Sequence, residues 1–276
     1  MTETLGLIGS GMIGSALARL AVDAGLDVVV SNSRGPETLG ALVAELGLQA
    51  RAGTPAEAAE AGDLVVATIP LNAYRQLSPV ELAGKTVIDT MNYYPQRDGR
   101  IAELDAGELT SSGLIQRHLS ESRVVKAFNN IDFRRLFTLA LPYGAPDRSA
   151  LPIAGDDAAA KAEVSDLLDI LGYDVTDIGT LADSWRSEPG TPVYCLPYFP
   201  VLAPKDVRPY EAFRWFFETP GVPVPAGRVK DLTDGTVRGP AGGQLPEMAA
   251  SLTGLDARPS ESPVASLAPA PSRVAS

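Results

Sequence analysis

The sequence of 276 residues has very few of the side chains that usually build metal sites, with one cysteine, Cys195, and one histidine, His118. A single cysteine excludes an internal disulfide, and these two residues cannot form the clusters of histidine and cysteine that bind zinc or haem. We therefore expect no metal in the mechanism.

Long apolar runs and an excess of basic residues are also missing. No run approaches the roughly 20 apolar residues that a membrane helix needs, and no basic and apolar leader precedes the first predicted strand. The chain has 23 Lys and Arg against 34 Asp and Glu, a formal net charge of −11. Because nucleic-acid affinity depends on neutralising phosphates, this charge disfavours a nucleic-acid partner. We expect a cytoplasmic protein without membrane or nucleic-acid partners, in which a local site must hold any anionic ligand.

What the sequence does contain is a glycine-rich stretch near its N-terminus. Apolar residues 5–8 predict a strand that leads directly into Gly9-Ser10-Gly11-Met12-Ile13-Gly14, the G-x-G-x-x-G spacing of a dinucleotide site. In such a site the first glycine allows a tight turn, the second lets the pyrophosphate approach the backbone, and the third lets the helix pack on the sheet. Apolar residues at helical spacing follow over 12–21, and residues 27–31 predict the next strand. We therefore interpret residues 9–14 as a cofactor-binding turn and not as an ordinary glycine turn.

The residues after this second strand indicate which dinucleotide binds. NAD enzymes usually carry a carboxylate there for the ribose hydroxyls, whereas this chain has Ser31-Asn32-Ser33-Arg34. A guanidinium offers a planar, permanently charged fork that suits a 2′-phosphate. The sequence therefore favours NADP(H), with Asn32, Ser33 and Arg34 as cofactor-binding residues. The alternative is that Arg34 is a solvated loop residue.

Strand and helix patterns alternate through residue 180, which predicts an α/β fold with a doubly wound, Rossmann-type parallel sheet. We expect an NADP-binding domain over residues 1–180. Aromatic residues, 6% of the whole chain, are concentrated in residues 181–219, which predicts a small helical and aromatic appendage packed on this domain or on a partner subunit. Residues 220–276 are rich in Pro, Gly, Ala and Ser and predict a mostly disordered tail.

Candidate ligand-binding residues follow the predicted strands, at the edge where open parallel sheets bind ligands. Thr68, Ile69 and Pro70 follow the apolar run 63–67 and are candidates for the nicotinamide side, with the alternative that Pro70 only ends the strand. Asn129 and Asn130 follow the strand predicted over 123–128, where an amide can orient a carboxamide or a flat heterocycle. For Asn130 alone we favour capping of the helix predicted over 131–139.

Four further residues have alternative interpretations. Lys126 is expected to form a structural ion pair, because nothing supports a catalytic lysine. Arg134 and Arg135 either hold the phosphate or carboxylates of an acceptor or lie on a solvated helix face. Aromatic residues at helical spacing are usually core, so Trp185 is the single aromatic residue of the appendage that we consider for a ligand contact.

Several of these stretches together resemble the NADPH-dependent coenzyme F420 reductases, or F420-dependent NADP oxidoreductases. The stretches are Gly9 to Gly14, Ser33-Arg34, Thr68 to Pro70, Val125 to Asn129 and Ile153 to Asp157. Residues 177–185, together with 125–129, are also similar to the cytosolic oxidoreductase domain of the STEAP metalloreductases.

The resemblance covers about residues 3–200 and implies a set of cofactor contacts. These are an NADPH site at Gly9, Gly11, Gly14, Ser33 and Arg34, with Thr68, Ile69 and Pro70 near the dinucleotide and Asn129 beside the hydride-transfer face. The resemblance leaves the acceptor open, because the chain departs from the deazaflavin reductases after Gly179, where Trp185 follows the metalloreductase pattern. The segment after Pro220 matches neither family.

The sequence has few side chains suited to acid–base catalysis. It lacks a Tyr-x-x-x-Lys motif, and His118 lies in a predicted helix away from the strand ends. A carbonyl reductase needs a proton donor, whereas hydride transfer between two redox heterocycles needs mainly stacking, a short distance and exclusion of water. We therefore predict an oxidoreductase that transfers a hydride directly between NADP(H) and a deazaflavin, coenzyme F420, or a flavin, FMN or FAD. Thr68 and Asn129 are expected at the hydride-transfer face, and no catalytic side chain is assigned.

Two other functions use the same glycine turn. One is a non-catalytic NADPH-binding sensor or assembly factor, with the tail as its partner-binding part. The other is an NADPH-dependent imine or enone reductase of a biosynthetic pathway, for which Tyr93, Tyr94 or Asp183 would have to supply a proton. In addition to a small-molecule redox cofactor, we expect a second copy of the chain as partner in a homodimer.

Overall fold

Eight β-strands form one sheet in the computed structural model, which describes residues 3–201 and 208–244. The strands are β1 (Thr4–Ile8), β2 (Asp27–Ser31), β3 (Ala50–Ala52), β4 (Leu64–Ala67), β5 (Thr86–Asp89), β6 (Arg123–Lys126), β7 (Ala150–Gly155) and β8 (Asp174–Asp177). Their order across the sheet is β3-β2-β1-β4-β5-β6-β7-β8. The strand order thus reverses between β3 and β4, beside β1, and such a reversal is the point at which open parallel sheets bind dinucleotides.

Strands β1 to β6 are parallel, β7 is antiparallel to β6, and β8 is parallel to β7. The predicted doubly wound α/β fold is confirmed. The two last strands depart from an all-parallel sheet, and the sequence could not show this, because a fully apolar strand has the same pattern in either direction.

Ten α-helices connect or cover the strands of the described chain. They are α1 (Met12–Asp23), α2 (Gly40–Leu46), α3 (Pro55–Ala61), α4 (Pro95–Asp98), α5 (Ala102–Asp105), α6 (Ser111–His118), α7 (Phe133–Thr138), α8 (Ala158–Ile170), α9 (Pro209–Glu218) and α10 (Ala226–Asp234). Short 3₁₀ helices lie at Pro36–Leu39, Leu71–Gln76, Leu181–Ser187 and Leu196–Tyr198.

The sheet has a hydrophobic cluster on each face. Leu5 and Leu7 of β1 pack with α1 and α8 in one cluster, whereas the next residue, Ile8, belongs to a second cluster with α3 and α6. Successive strand residues point to opposite faces, so both faces of β1 are buried. This burial explains why the central strands are continuous apolar runs.

The aromatic appendage packs on the sheet domain through α7. Phe199 stacks on Trp215 with ring centroids 5.0 Å apart, and Phe216 of α9 lies 5.7 Å from Phe133. The guanidinium of Arg135 lies 4.0 Å from the Phe199 ring and donates to the Phe216 carbonyl over 2.7 Å. The appendage is therefore held by a buried cation as well as by ring contacts.

The predicted start of the tail at residue 220 is wrong for residues 220–244. The Ala150 N–H at the start of β7 donates to the Val224 carbonyl over 2.8 Å, and α10 packs on β7 and β8. Val224 and Val229 are buried in the core. Single apolar residues between prolines and glycines anchor this segment. Because they do not repeat at helical or strand spacing, the sequence did not reveal it. The rest of the predicted tail, residues 245–276, lies outside the described residues.

Within the part of the chain that the structure describes, no helix is long and apolar enough to cross a membrane.

Candidate dinucleotide site

The three glycines of the turn between β1 and α1 differ in what surrounds them. Gly9 has a φ of +116°, and a Cβ there would lie 2.4 Å from the Thr68 carbonyl oxygen. A Cβ on Gly14 would lie 2.2 Å from the Gly9 carbonyl oxygen. A Cβ on Gly11 would meet no heavy atom within 4 Å. The fold itself therefore requires Gly9 and Gly14, whereas Gly11 leaves open backbone that a ligand can approach.

The N-terminus of α1 offers unsatisfied donors at this turn. Its N-cap is Gly11, and no side chain caps it among the described residues. Other helices of the chain are capped by side chains, those of Thr54, Thr110, Asp132 and Asp157. Free N–H groups and the positive end of the helix dipole suit a pyrophosphate. Of the other residues of the turn, Ser10 accepts from the Ser15 hydroxyl over 3.1 Å, Met12 is exposed, and Ile13 packs against the core.

Asn32 connects the loop after β2 to the glycine turn. Its amide donates to the Ser10 hydroxyl over 3.3 Å and to the Thr38 hydroxyl over 2.9 Å, and its carbonyl oxygen accepts from the Arg34 N–H over 2.8 Å. Ser33 and Arg34 are exposed, and the Arg34 guanidinium has no side-chain partner among the described residues. The structure thus brings the predicted 2′-phosphate residues beside the predicted pyrophosphate turn.

One carboxylate near this loop was missed in the sequence. Glu37 lies six residues after Ser31, and its oxygens are 2.4 and 2.5 Å from the position that a Gly35 Cβ would occupy. Gly35 has a φ of +102°, so the loop turns back on itself and brings Glu37 over its backbone. Glu37 is therefore the one carboxylate described in this loop that could repel a 2′-phosphate.

The end of β4 lies directly against the glycine turn. The Thr68 N–H donates to the Ile8 carbonyl over 2.9 Å, and its own carbonyl contacts Gly9 as described above. Thr68 and Ile69 are half-buried, whereas Pro70 is exposed and begins the 3₁₀ helix at Leu71–Gln76. The structure therefore brings Thr68 and Ile69 against the glycine turn, and Pro70 follows them along the chain.

Asn129 lies two strands away from Thr68, because β5 separates β4 from β6. It is buried and forms a reciprocal pair with Asn92, a residue that the sequence did not single out. The Asn92 amide donates to the Asn129 backbone carbonyl over 2.8 Å, and the Asn129 amide donates to Asn92 Oδ1 over 3.1 Å and to the Ser187 carbonyl over 2.8 Å. Asn129 is thus occupied by protein contacts, and Asn92 is the more exposed member of the pair. Its place just after β5 was the signal that could have identified it.

Phe128 makes this pairing possible by turning the chain after β6. Its φ is +59°, a left-handed value that is uncommon for a bulky side chain, and it is fully buried. Backbone strain of this kind costs on the order of 1–3 kcal/mol and clusters at functional sites. The strained residue turns the chain so that Asn129 faces the neighbouring Asn92.

The predicted role of Asn130 is wrong. Helix α7 is capped by Asp132, whose Oδ1 accepts from the N–H groups of Arg134 and Arg135. Asn130 is buried and donates to the Val193 carbonyl over 3.1 Å and to the Tyr198 hydroxyl over 3.0 Å. The helix starts two residues later than predicted, and the Asp132 carboxylate caps its N-terminus in place of the Asn130 amide.

Arg135 follows neither of its two predicted roles. It is fully buried and binds the carbonyls of Phe216 and Thr219, so it is neither on a solvated face nor available to an acceptor. Arg134 is half-buried, with its guanidinium 5.6 Å from the Phe217 ring. Both arginines serve the aromatic appendage, whose packing could not be derived from α7 alone.

Lys126 forms the predicted ion pair. Its Nζ lies 3.3 Å from Asp89 Oδ2, both side chains are fully buried, and Nζ also donates to the Met91 carbonyl and to the Ser111 hydroxyl. The pair joins the last residues of β5 and β6, and the chain continues from these two strand ends to Asn92 and Asn129.

Of the three candidate proton donors, only Tyr94 adjoins the asparagine pair. Its hydroxyl contacts the Tyr194 hydroxyl, which lies 3.5 Å from the Asn92 amide, and burial raises the pKa of Tyr94 to about 12. The Tyr93 hydroxyl instead donates to Asp105 over 3.0 Å and accepts from the Ile101 N–H over 2.9 Å.

Asp183 and His118 have structural roles. The Thr180 hydroxyl and N–H donate to Asp183 and hold the pKa of its carboxyl below the usual value, so it is ionised at neutral pH. His118 Nε2 lies 2.9 Å from the Leu77 carbonyl, and its ring packs edge-on against Tyr74. Within the described residues, neither side chain is hydrogen-bonded to the asparagine pair.

Two clefts lie away from the glycine turn. One, of about 470 Å³, is lined by Leu109, Thr110, Leu181 and Arg238 among others, and Arg238 also lies over the Trp185 ring. The other, of about 420 Å³, lies between Leu196 and α10. Among residues 3–201 and 208–244 no group of three His, Cys, Asp or Glu side chains could hold a metal ion.

Comparison with known proteins gives a family match over the first third of the chain. Residues 4–93 match the family described as NADP oxidoreductase, coenzyme F420-dependent. The metalloreductase STEAP3 of Rattus norvegicus is 30% identical over 201 residues, which are 71% of this chain and 38% of that protein. The chain spans about two fifths of the length of the curated relatives it matches.

Two solved structures share the fold over most of their length. A hypothetical protein of Sinorhizobium meliloti is 29% identical with a TM-score of 0.62, covering 71% of this chain and 94% of its own. A protein of Arthrobacter sp. FB24, whose name suggests an F420-dependent NADP reductase, is 25% identical with a TM-score of 0.57, covering 67% and 87%. The resemblance found in the sequence is confirmed by these matches, to the coenzyme F420-dependent NADP oxidoreductases over residues 4–93 and to the metalloreductase STEAP3 over 201 residues.

Proposed function

We propose that the protein is an NADPH-dependent oxidoreductase that transfers a hydride between NADP(H) and a deazaflavin, coenzyme F420, or a flavin. The observation that carries this proposal is the exposed Ser33-Arg34 loop, joined to the glycine turn through Asn32. An exposed guanidinium one loop away from an uncapped helix N-terminus suits a 2′-phosphate and a pyrophosphate of one dinucleotide. The family description supports the same cofactor.

The nicotinamide would lie beyond the glycine turn, over the ends of β4 and β5. Thr68 and Asn92 are the partly exposed polar side chains at these two strand ends, and Asn129 supports Asn92 from behind. An amide at this position can orient the carboxamide of the ring. Thr68 and Asn129 were the predicted hydride-transfer face, and we propose Asn92 in addition, as the member of the pair that contacts the cofactor.

The structural roles of Asp183 and His118 favour a heterocyclic acceptor, because neither side chain is placed to supply a proton beside Asn92. In the proposed step the C4–H bond of the nicotinamide breaks, its electron pair and hydrogen pass to a ring atom of the acceptor, and a ring nitrogen of the acceptor takes a proton from water. NADPH is oxidised and the acceptor is reduced by two electrons. The chain's residues would mainly bind, orient and exclude water, since the redox chemistry belongs to the two heterocycles.

The decisive experiment follows NADPH oxidation at 340 nm with F420, FMN, FAD and a ferric chelate offered one at a time. We expect turnover with a deazaflavin or flavin and a strong preference for NADPH over NADH. Binding of NADPH without oxidation by any of these acceptors or by an organic imine or enone would favour the sensor or assembly factor instead.

A second candidate rests on the contact between Tyr94 and Tyr194. Two hydroxyls beside Asn92 could deliver a proton to the nitrogen or oxygen of an imine or enone while the nicotinamide delivers the hydride. Tyr94→Phe separates the two functions, because it would abolish reduction of an imine or enone and leave flavin reduction nearly unchanged.

We further propose that the protein acts in the cytoplasm as a homodimer. Tyr210 and Phe213 of α9 are 67% and 40% exposed, which supports a protein contact on this helix. Light scattering on the purified protein tests the dimer, and a monomer at micromolar concentration would contradict it.

A further inference from the structure

The most unusual feature outside the cofactor contacts is a fully buried ion pair between Asp89 and Lys126. These residues are neighbours across β5 and β6, and Nζ lies 3.3 Å from Oδ2. A buried pair of this kind is seldom explained by stability, because apolar residues of similar volume are often as stable or more stable in its place. The pair therefore calls for another explanation.

Both members of the pair hold the same backbone residue, Met91. Asp89 Oδ1 accepts from the Met91 N–H over 2.8 Å, and Lys126 Nζ donates to the Met91 carbonyl. Met91 lies just beyond the end of β5. The two side chains therefore provide the hydrogen bonds that a neighbouring strand would give to its N–H and carbonyl groups. Fixing Met91 on both sides fixes the position from which Asn92 extends.

The same lysine is connected to the other member of the asparagine pair. Lys126 Nζ donates to the Ser111 hydroxyl over 3.2 Å, and Ser111 donates to Glu188 over 2.5 Å. Glu188 follows Ser187 in the chain, and the Ser187 carbonyl accepts from the Asn129 amide. The contacts therefore form a closed ring through Met91, Lys126, Ser111, Glu188, Ser187, Asn129 and Asn92.

We propose that Asp89 and Lys126 are positioning residues, which set Asn92 against the nicotinamide and so determine the hydride-transfer distance. This inference rests on the proposed function for the identity of the ring that Asn92 contacts. Such a ring of contacts fixes a binding group from two directions, as a preorganised site requires. Displacements of about 1 Å can change the rate of a transfer step by up to a hundredfold.

The test uses the full chain with Asp89→Asn and Lys126→Met combined. The amide that replaces the Asp89 carboxylate can still accept from the Met91 N–H, and no buried charge is left unpaired. The variant loses the ion pair, the Lys126 contacts with the Met91 carbonyl and the Ser111 hydroxyl, and the Asp89 oxygen that accepts from the Ser112 hydroxyl over 2.6 Å. The matched control combines Arg148→Met with Asp169→Asn, which removes another buried cation and the nearer of its two carboxylate partners, 2.7 Å away, from a region near β8. Both double variants are compared for thermal stability, NADPH affinity, the fluorescence of bound NADPH, and turnover.

We expect the Asp89/Lys126 variant to bind NADPH within about twofold of the native affinity, because the phosphate contacts are distant. The fluorescence of the bound nicotinamide should return toward that of free NADPH, and kcat should fall at least about tenfold at nearly unchanged KM for NADPH. The control variant should lose stability but keep the native fluorescence of bound NADPH and the native kcat. Native fluorescence and kcat in the Asp89/Lys126 variant would show that the pair is only structural.

Two further outcomes separate this inference from the proposed function. A native protein that binds NADPH but oxidises it with no acceptor contradicts the proposed reaction, and the fluorescence comparison still decides whether the pair positions the ring. A native protein that does not bind NADPH overturns both. If the double variant fails to fold, Ser111→Ala breaks the same ring without removing a charged side chain, and the same fluorescence change is expected from it. Unchanged fluorescence in a folded Ser111→Ala variant would overturn the proposal.

Discussion

The backbone N–H of Arg34 donates to the side-chain oxygen of Asn32 over 2.8 Å. This bond holds the loop after β2 against the glycine turn, to which Asn32 is also joined, and it leaves the guanidinium exposed. The adenosine end of the site is therefore built from local contacts between neighbouring strand ends, and its charge is available to a ligand.

The first prediction concerns the choice of nucleotide. Arg34→Ala should weaken NADPH binding about ten- to hundredfold, the loss expected for a charge-assisted contact, and should change NADH affinity little. Ser33→Asp should act in the same direction by repelling the 2′-phosphate. Isothermal titration with both nucleotides measures the effect, and Arg228→Ala, an exposed arginine on α10, is the matched control. Equal losses for NADPH and NADH would contradict the assigned role of Arg34.

The second prediction separates two glycines of the same motif. Gly11→Ala should leave the melting temperature of the free protein unchanged, because its Cβ meets no heavy atom within 4 Å, yet should weaken NADPH binding. Gly14→Ala should lower the free energy of unfolding by roughly 1–3 kcal/mol, the usual cost of overpacking, since its Cβ would meet the Gly9 carbonyl. Thermal melts with and without NADPH give both quantities. A loss of stability in Gly11→Ala would mean that the turn serves the fold and not a ligand.

The fold and the adenosine half of the site could be predicted because their signals are local. Gly9 to Gly14 and Asn32 to Arg34 each stand beside the strand that positions them, and the order of strands brings them together. The nicotinamide half depends on contacts that span long stretches of sequence. Asn92 pairs with Asn129 and Lys126 with Asp89, 37 residues apart in each case, and no spacing rule connects them.

The errors in the C-terminal part have the same origin. Arg135 binds carbonyls of Phe216 and Thr219, more than 80 residues further along the chain. Val224 is recognisable as core only when β7 is known to lie beside it. Neither contact could be predicted from the spacing of apolar residues, because that spacing describes single helices and strands and not which of them pack together.

The third prediction concerns truncation of the C-terminal segment. A chain that ends at residue 244 should keep its melting temperature, because residues 245–276 have a low-complexity composition that does not favour a packed core. A chain that ends at residue 220 should lose several kcal/mol of stability, since burial of a valine contributes about 1.5–3 kcal/mol and both Val224 and Val229 are removed. Equal melting temperatures for the two truncated chains would contradict the packing of α10 on the sheet.

The fourth prediction concerns alkaline pH. Burial raises the pKa of Tyr94 from 10.0 to about 12, and it also raises the pKa values of Tyr173, Tyr194 and Tyr198. Above pH 10 the unfolded chain releases these protons while the folded chain retains them, so the contribution of these tyrosines to stability is complete below pH 10 and is lost as the pH rises further. Each such tyrosine contributes about 1.4 kcal/mol per pH unit to the slope. Urea unfolding at pH 9 and pH 11 measures the slope, which Tyr94→Phe should reduce. A stability that is the same at both pH values would contradict the burial of these hydroxyls.

Stereospecifically deuterated NADPH tests the central claim, direct hydride transfer from NADPH to a heterocyclic acceptor. We expect the protein to reduce F420 and to deliver the deuterium to the deazaflavin carbon, where it does not exchange with water. His118→Ala should give the same result at nearly the native rate, because that side chain packs against Tyr74 and Leu77. Release of the deuterium to solvent during F420 reduction would contradict the account. So would a folded protein that binds NADPH but does not oxidise it with any deazaflavin or flavin.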